Sequence, residues 1–362
     1  MRIIYIFICI LLLSAYNHIY ADNKGLHYIN AKELTLIGKG AITDKFYHRI
    51  DTGKYSSLRE AVKFYFTHSS GLAVGFKTNA NTIAARWKVK ERHQYPNLTP
   101  IAQKGLDLYI KQDNKWVNAG VGSPKKDSFS ECVIVTNMND ENKECLLYLP
   151  IYAEILSLEI GIPEDRDIKP IENPFRHNIL VYGSSILQGA SVSRPGLNYS
   201  SVLSRMTGWN FINFGLSGNG KMEPEVANMI AELNNIDAFI LDCIPNCSPK
   251  EIEERAENLI RTIRKRHPNV PIILIQTLIR EKGNFDNKVK ERVKLQNETI
   301  EIIYNKIKSD IADLYFIKEN NFLGTDHEGS VDGTHPTDLG MYRMLSKTTP
   351  IIIDILKKYI SD

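Results

Sequence analysis

A change of rhythm near residue 165 constrains this chain more than any other feature. Beyond it, continuous apolar runs alternate with amphipathic stretches. The runs are Ile179-Leu180-Val181-Tyr182, Phe211-Ile212-Asn213-Phe214, Ala238-Phe239-Ile240-Leu241 and Ile272-Ile273-Leu274-Ile275, with Leu314-Tyr315-Phe316 as a weaker fifth. Helical patterns lie between them at 199–206, 223–233, 249–266 and 288–307, and a last one at 336–358 is interrupted by Pro350. A strand that is apolar throughout is buried on both faces, so this alternation predicts a parallel sheet between two helical layers.

From about 27 to 162 the rhythm is shorter. Arg86-Trp87-Lys88-Val89-Lys90 and parts of Leu106-Asp107-Leu108-Tyr109-Ile110 and Leu156-Ser157-Leu158-Glu159-Ile160 alternate with period two. Turn clusters such as Lys111-Gln112-Asp113-Asn114 and Ser123-Pro124-Lys125-Lys126-Asp127 separate such strands. Several short strands at this spacing predict an antiparallel sandwich, with no long amphipathic helix. Two domains are therefore expected, 22–165 and 176–362. The charged stretch 166–175, with Pro170 and Pro174, is read as their linker.

The first 21 residues read as a separate unit. Arg2 precedes the uncharged apolar run 3–13, and Ile19-Tyr20-Ala21 before Asp22 forms a weak small-residue cleavage site. The run is too short to span a bilayer, so a cleaved export signal and a periplasmic or extracellular location are predicted. Cys9 lies inside the run, so no lipid anchor is expected, and no later stretch reaches transmembrane length. Lys and Arg number 45 against 42 Asp and Glu, and this balance gives no ground for a nucleic-acid or anionic-membrane partner. Export permits disulfides. Cys132 and Cys145 flank a polar stretch resembling a hairpin tip, where a bridge is conceivable; Cys243 and Cys247 lie near a strand end. Free buried thiols fit all four equally well.

Ligands of open parallel sheets bind outside the carboxyl ends of the strands. The segments there are Gly183-Ser184-Ser185-Ile186-Leu187-Gln188-Gly189, Gly215-Leu216-Ser217-Gly218-Asn219-Gly220 and Asp242-Cys243-Ile244-Pro245-Asn246, joined near the C-terminus by Asp332-Gly333-Thr334-His335-Pro336. The pattern suits acyl transfer. A serine hydroxyl attacks only when an imidazole takes its proton, and the imidazole needs a carboxylate to fix its tautomer. Ser185 stands where strand turns to helix. Asp332 and His335 are close enough in sequence to bond locally. The Gly218 N–H and the Asn246 amide can face an oxyanion. Taken singly, either serine could be a helix cap, the glycines turn residues, Asn246 a turn residue and Asp332 the start of a helix.

These blocks resemble the SGNH (GDSL-like) hydrolases. Gly105-Leu106-Asp107-Leu108-Tyr109 resembles the "GxDLY" signature of the N-terminal domain found in a two-domain subgroup. The resemblance covers roughly residues 27–350. It implies a flavodoxin-like three-layer α/β/α domain behind a jelly-roll-like sandwich, and no metal or organic cofactor. It also implies Ser185 as nucleophile, His335 as general base, Asp332 as its orienting group, and an oxyanion hole of Ser185 N–H, Gly218 and Asn246. Two blocks depart from the usual pattern: Ser184 replaces the Asp of Gly-Asp-Ser, and Ile244-Pro245-Asn246 lacks the customary Gly.

Resemblance and export together suggest removal of short acyl groups, acetyl above all, from carbohydrate or another small ester. Arg194, Tyr199, Lys221 and Arg280 are the candidate sugar contacts, and each fits a surface or packing role equally well. Two rival readings exist. Asp326-His327-Glu328 with Asp332 and His335 could serve a metal-dependent hydrolase. Alternatively, the sandwich could bind glycans without catalysis through Trp87 or Trp116, residues that more often belong to a core.

Overall fold

The structure, a computed structural model, describes residues 25–360 apart from 42, 44 and 126. The predicted export signal lies outside the described residues. Among the described residues the N-terminal half holds ten strands: β1 (Leu26–Asn30), β2 (Thr35–Ile37), β3 (Ala73–Thr78), β4 (Ile83–Val89), β5 (Leu106–Gln112), β6 (Lys115–Gly122), β7 (Phe129–Val135), β8 (Lys143–Tyr148), β9 (Ile155–Pro163) and β10 (Ile168–Pro170). One antiparallel sheet runs β1-β9-β4-β7. The second runs β10-β3-β8-β5-β6, with β2 also paired to β3. Val74, Phe76, Trp87, Leu108, Leu147 and Ile160 fill the space between the sheets. Within the stretch read as a linker, β10 pairs with β3, Lys169 facing Lys77.

Two short helices interrupt the sandwich, α1 (Glu60–Phe66) and α2 (Pro100–Lys104). Neither packs purely within its own half. Val62 and Phe66 of α1 join a core cluster with Leu180, Ile212 and Phe214, and Leu98 and Ala102 around α2 join one with Ile179, Val181 and Phe211.

The second half follows the predicted alternation. Its strands are β11 (Arg176–Gly183), β12 (Trp209–Gly215), β13 (Ala238–Asp242), β14 (Ile272–Ile275) and β15 (Leu314–Ile317). They are parallel and ordered β12-β11-β13-β14-β15, the flavodoxin-like order. The helices are α3 (Ser185–Gln188), α4 (Tyr199–Thr207), α5 (Pro224–Ala231), α6 (Pro249–Arg266), α7 (Asn287–Ile307) and α8 (Asp338–Leu356). Leu180 and Tyr182 point to the α5–α7 face, and Ile179 and Val181 to the α4 and α8 face, so both faces of β11 are dry. Side-chain caps start the long helices: a Ser248–Glu251 capping box for α6, Asp286 for α7 and Thr337 for α8. Pro350 does not interrupt α8, contrary to expectation. Burial of Met344, Leu345, Ile352 and Leu356 outweighs the hydrogen bond that the proline cannot donate.

The four described cysteines are free thiols. Cys132 and Cys145 do not sit on a shared hairpin: the first belongs to β7 and the second to β8, in opposite sheets.

Candidate active site

In the register of the parallel sheet Gly183 stands level with both Gly215 and Asp242, so β11, β12 and β13 end together. The sheet order reverses at this place, where a crevice is available. The backbone then separates two adjacent serines. Ser184 is buried and caps α3, its hydroxyl accepting from the Ile186 N–H at 3.2 Å. Ser185 is the first residue of α3, and its Oγ lies 2.9 Å from His335 Nε2.

His335 arrives from the loop before α8. Its Nδ1 lies 2.7 Å from Asp332 Oδ2. A carboxylate only accepts, so Nδ1 carries the proton and Nε2 presents its lone pair to Ser185. Asp332 Oδ1 accepts from the backbone N–H groups of Thr334 (3.0 Å) and His335 (2.8 Å), which fixes the carboxylate within its own turn. Burial pushes the Asp332 carboxyl up, but the backbone and ring N–H groups of His335 outweigh it, and the group stays below the usual carboxylate value. It is therefore ionised at neutral pH.

The glycine block closes the other side. Gly218 has φ +67°, in the left-handed region where a side chain is strained. A Cβ on Gly220 would stand 2.2 Å from the Gly183 carbonyl oxygen, so that close approach requires glycine. The Gly220 N–H donates to Asn246 Oδ1 at 3.2 Å. This engages the amide oxygen and leaves the amide NH2 of Asn246 as a donor for another partner.

Two buried side chains brace this block from beneath. Arg49, from the N-terminal half, donates to the carbonyls of Asn213 and Gly215 at 2.9 Å each, and to that of His68 at 3.0 Å. Gln188 accepts from the Ser217 N–H at 2.9 Å and donates to the Ile151 carbonyl at 3.0 Å. Sequence reasoning passed over both. Nothing in an isolated Arg or Gln announces distant carbonyl partners. It also passed over Asn97, whose Nδ2 lies 3.3 Å from Asp332 Oδ2.

Two candidate sugar contacts are engaged within the fold. Arg194 is committed to the GxDLY motif: its Nη1 donates to both Asp107 oxygens (2.9 and 2.8 Å) and to the Tyr109 hydroxyl (2.7 Å). Asp107 is fully buried and also accepts from Gly196 N–H and Asn118. Burial is the largest influence on its carboxyl and raises it despite Arg194. Tyr199 is buried in the core and lines a water-sized cavity of about 10 Å³ with Ile186, Asp242 and Thr348, so it presents no surface to a sugar. Half-buried Lys221 lies 3.6 Å from Glu251 at the start of α6. Arg280 donates to the Pro245 carbonyl at 2.8 Å, one residue from Asn246.

The residues of the rival readings are also engaged. Asp326 pairs with Arg343 and His327 with Glu281. Among the described residues no group of three or more His, Cys, Asp or Glu side chains is arranged to hold a metal ion, and no helix is long and apolar enough to cross a membrane. Trp87 is a core residue whose indole donates to the Lys104 carbonyl, and Trp116 packs beside Phe175.

Comparison with known proteins gives the family. A GDSL-like lipase/acylhydrolase family model matches residues 176–353, and a model of GxDLY, the N-terminus of SGNH-hydrolase-type esterases, matches residues 26–168. A GDSL-like lipase from Bacteroides ovatus is 58% identical, with a TM-score of 0.90 over 92% of this chain and 98% of that one. The salicylyl-acyltransferase SsfX3 of a tetracycline biosynthetic pathway shares the fold at 16% identity (TM-score 0.73, 92% and 98% covered). So does a family two carbohydrate esterase from Cellvibrio japonicus at 12% identity (TM-score 0.59, 92% and 98% covered). No curated protein matches. The two matched regions and the Bacteroides relative together assign the chain: it belongs to the GDSL-like lipase/acylhydrolase family and is a carboxylic ester hydrolase.

Proposed function

We propose that the protein removes short acyl groups, chiefly acetyl, from carbohydrate esters by a Ser-His-Asp mechanism. The observation that carries the mechanism is the chain of contacts Ser185 Oγ–His335 Nε2 (2.9 Å) and His335 Nδ1–Asp332 Oδ2 (2.7 Å). His335 Nε2 takes the Ser185 proton as Oγ attacks the ester carbonyl. Asp332 holds the imidazolium that forms. The N–H groups of Ser185 and Gly218 and the Asn246 amide carry the charge that develops on the carbonyl oxygen. His335 then returns the proton to the leaving alkoxide. Water, activated by the same imidazole, hydrolyses the acyl-enzyme and frees Ser185.

The carbohydrate part of the proposal rests on the two-domain fold. The family two carbohydrate esterase shares it, as does an acetyl xylan esterase from Butyrivibrio proteoclasticus at 11% identity. Export through residues 1–21 belongs to the same proposal. It is tested with p-nitrophenyl esters of rising chain length and acetylated oligosaccharides. The wild type should prefer acetyl. Ser185→Ala and His335→Ala should each lower turnover about 10⁴-fold or more. Unchanged turnover in either variant removes the role given to it, and a preference for long acyl chains removes the acetyl assignment.

A further inference from the structure

We infer that Asn97, a residue of the N-terminal domain, is a positioning residue of the hydrolytic site, donating its amide N–H to Asp332 Oδ2. The inference rests on the triad reading above and adds to it a part supplied by the other domain.

The geometry has three elements. The first is the contact. Asn97 Nδ2 lies 3.3 Å from Asp332 Oδ2 and 3.4 Å from His335 Nδ1. The carboxylate accepts only, so the NH2 end of the amide must face it. The Nδ1–H of His335 points to the same oxygen. Oδ2 thus receives two donors, one from the ring and one from Asn97, while Oδ1 is held by the backbone of its own turn.

The second is the bracing of the turn that carries Asn97. Gln103 is fully buried and grips the segment with both ends of its amide: Oε1 accepts from Tyr95 N–H at 2.8 Å, and Nε2 donates to the His93 carbonyl at 2.7 Å. Gln94 donates across the turn to the Leu98 carbonyl at 2.7 Å. Leu98, beside Asn97, is buried in the hydrolase core cluster. Thr99 donates to the Ser193 carbonyl at 2.6 Å and caps α2. A side chain on such a mount is placed before substrate arrives.

The third is charge. The other charged groups around Asp332 are His335 itself and Arg280, while Lys282 meets the turn through its backbone N–H on the Gly333 carbonyl. Of the neighbours outside its own loop, Asn97 alone has a side-chain hydrogen bond to the carboxylate among the described residues. Removing that donor leaves more negative charge on Oδ2, and a more negative Asp332 holds the imidazolium more firmly.

The test compares Asn97→Ala and Asn97→Asp with the wild type on an aryl acetate. Asn97→Ala should lower kcat about tenfold with KM unchanged, because the looser Asp332–His335 pair costs more in alignment than the firmer hold on the imidazolium returns. The acidic limb of kcat/KM should move to higher pH. Asn97→Asp keeps the shape but sets one carboxylate against another, so its limb should move further. Melting temperatures should stay at the wild-type value. Wild-type kinetics in both variants overturn the inference. A fall in kcat with an unmoved limb and a lowered melting point also overturns it, since a mere structural prop would behave so. Ser185→Ala runs alongside: if it is inactive, the outcome bears on Asn97 alone, and if it is active, the triad reading fails and takes this inference with it.

Discussion

Ser184 and Ser185 carry the same hydroxyl, and the backbone sends them to different partners: one closes a helix end, the other meets an imidazole. The same economy marks Asn246, whose amide oxygen accepts from Gly220 N–H and whose NH2 keeps its donor capacity. Asn246→Ala should lower kcat about 10²-fold, equivalent to about 3 kcal/mol of barrier, with little change in KM. Steady-state kinetics on an acetyl ester check this. Asp242 makes a different prediction. Burial alone pushes its carboxyl up to about 8. A carboxyl raised in the folded state binds a proton that the unfolded chain releases, so stability falls as pH rises from about 4 to about 8. Asp242→Asn should therefore raise the melting temperature at pH 7 and change it little at pH 4. The residues around Ser185, Gly218, Asn246, Asp332 and His335 were legible because each stands in a short polar segment directly after a strand or before a helix. Arg194 and Tyr199 stayed ambiguous because a lone sequence shows neither the partner of a charge nor the burial of a phenol. Asp107 lies 87 positions before Arg194. Asn97 was silent for the same reason, at 235 positions from Asp332.

Elements of the second half were plain in the sequence because β12, β13, β14 and most of β11 are buried on both faces, which leaves apolar runs, whereas edge strand β15 is partly exposed and gave the weaker signal. The helix α6 matches its predicted span at 249–266 because a capping box starts it and His267 and Pro268 follow it. The first half was harder. Its strands β2 and β10 have three residues each, too few for a period-two pattern to register. The helix α1 has seven, and it owes its place to contacts with Phe214 and Leu180 across the chain rather than to its own propensity. The strand β5 shows what its signature motif is for. Asp107 and Tyr109 project from it to clamp Arg194 and Gly196 in the segment after α3. Asp107→Ala would leave the half-buried Arg194 without its carboxylate partner and Gly196 N–H without its acceptor, and should lower stability by about 2–3 kcal/mol. Chemical denaturation of the variant, followed by tryptophan fluorescence, measures it.

The whole molecule is two folds sharing two cores. Val62 and Phe66 complete one side of the parallel sheet, and Leu98, Ile151 and Tyr152 complete the other. Arg49 reaches from the first half to the carbonyls that end β12. A fragment beginning at residue 176 would bare these surfaces. It should bind a hydrophobic dye, lose near-ultraviolet dichroism and melt without cooperativity. A sharp melt within a few degrees of the full chain would contradict the shared cores. The clamp of Asp107 on Arg194 carries one consequence further. The Asp107 carboxylate is buried and its charged partner comes from the other half, so a half that lacks the matching arginine would leave that carboxylate without its ion pair. A chimera that joins halves of different relatives therefore has to carry both members of each such pair, Asp107 with Arg194 and Arg49 with the carbonyls of β12.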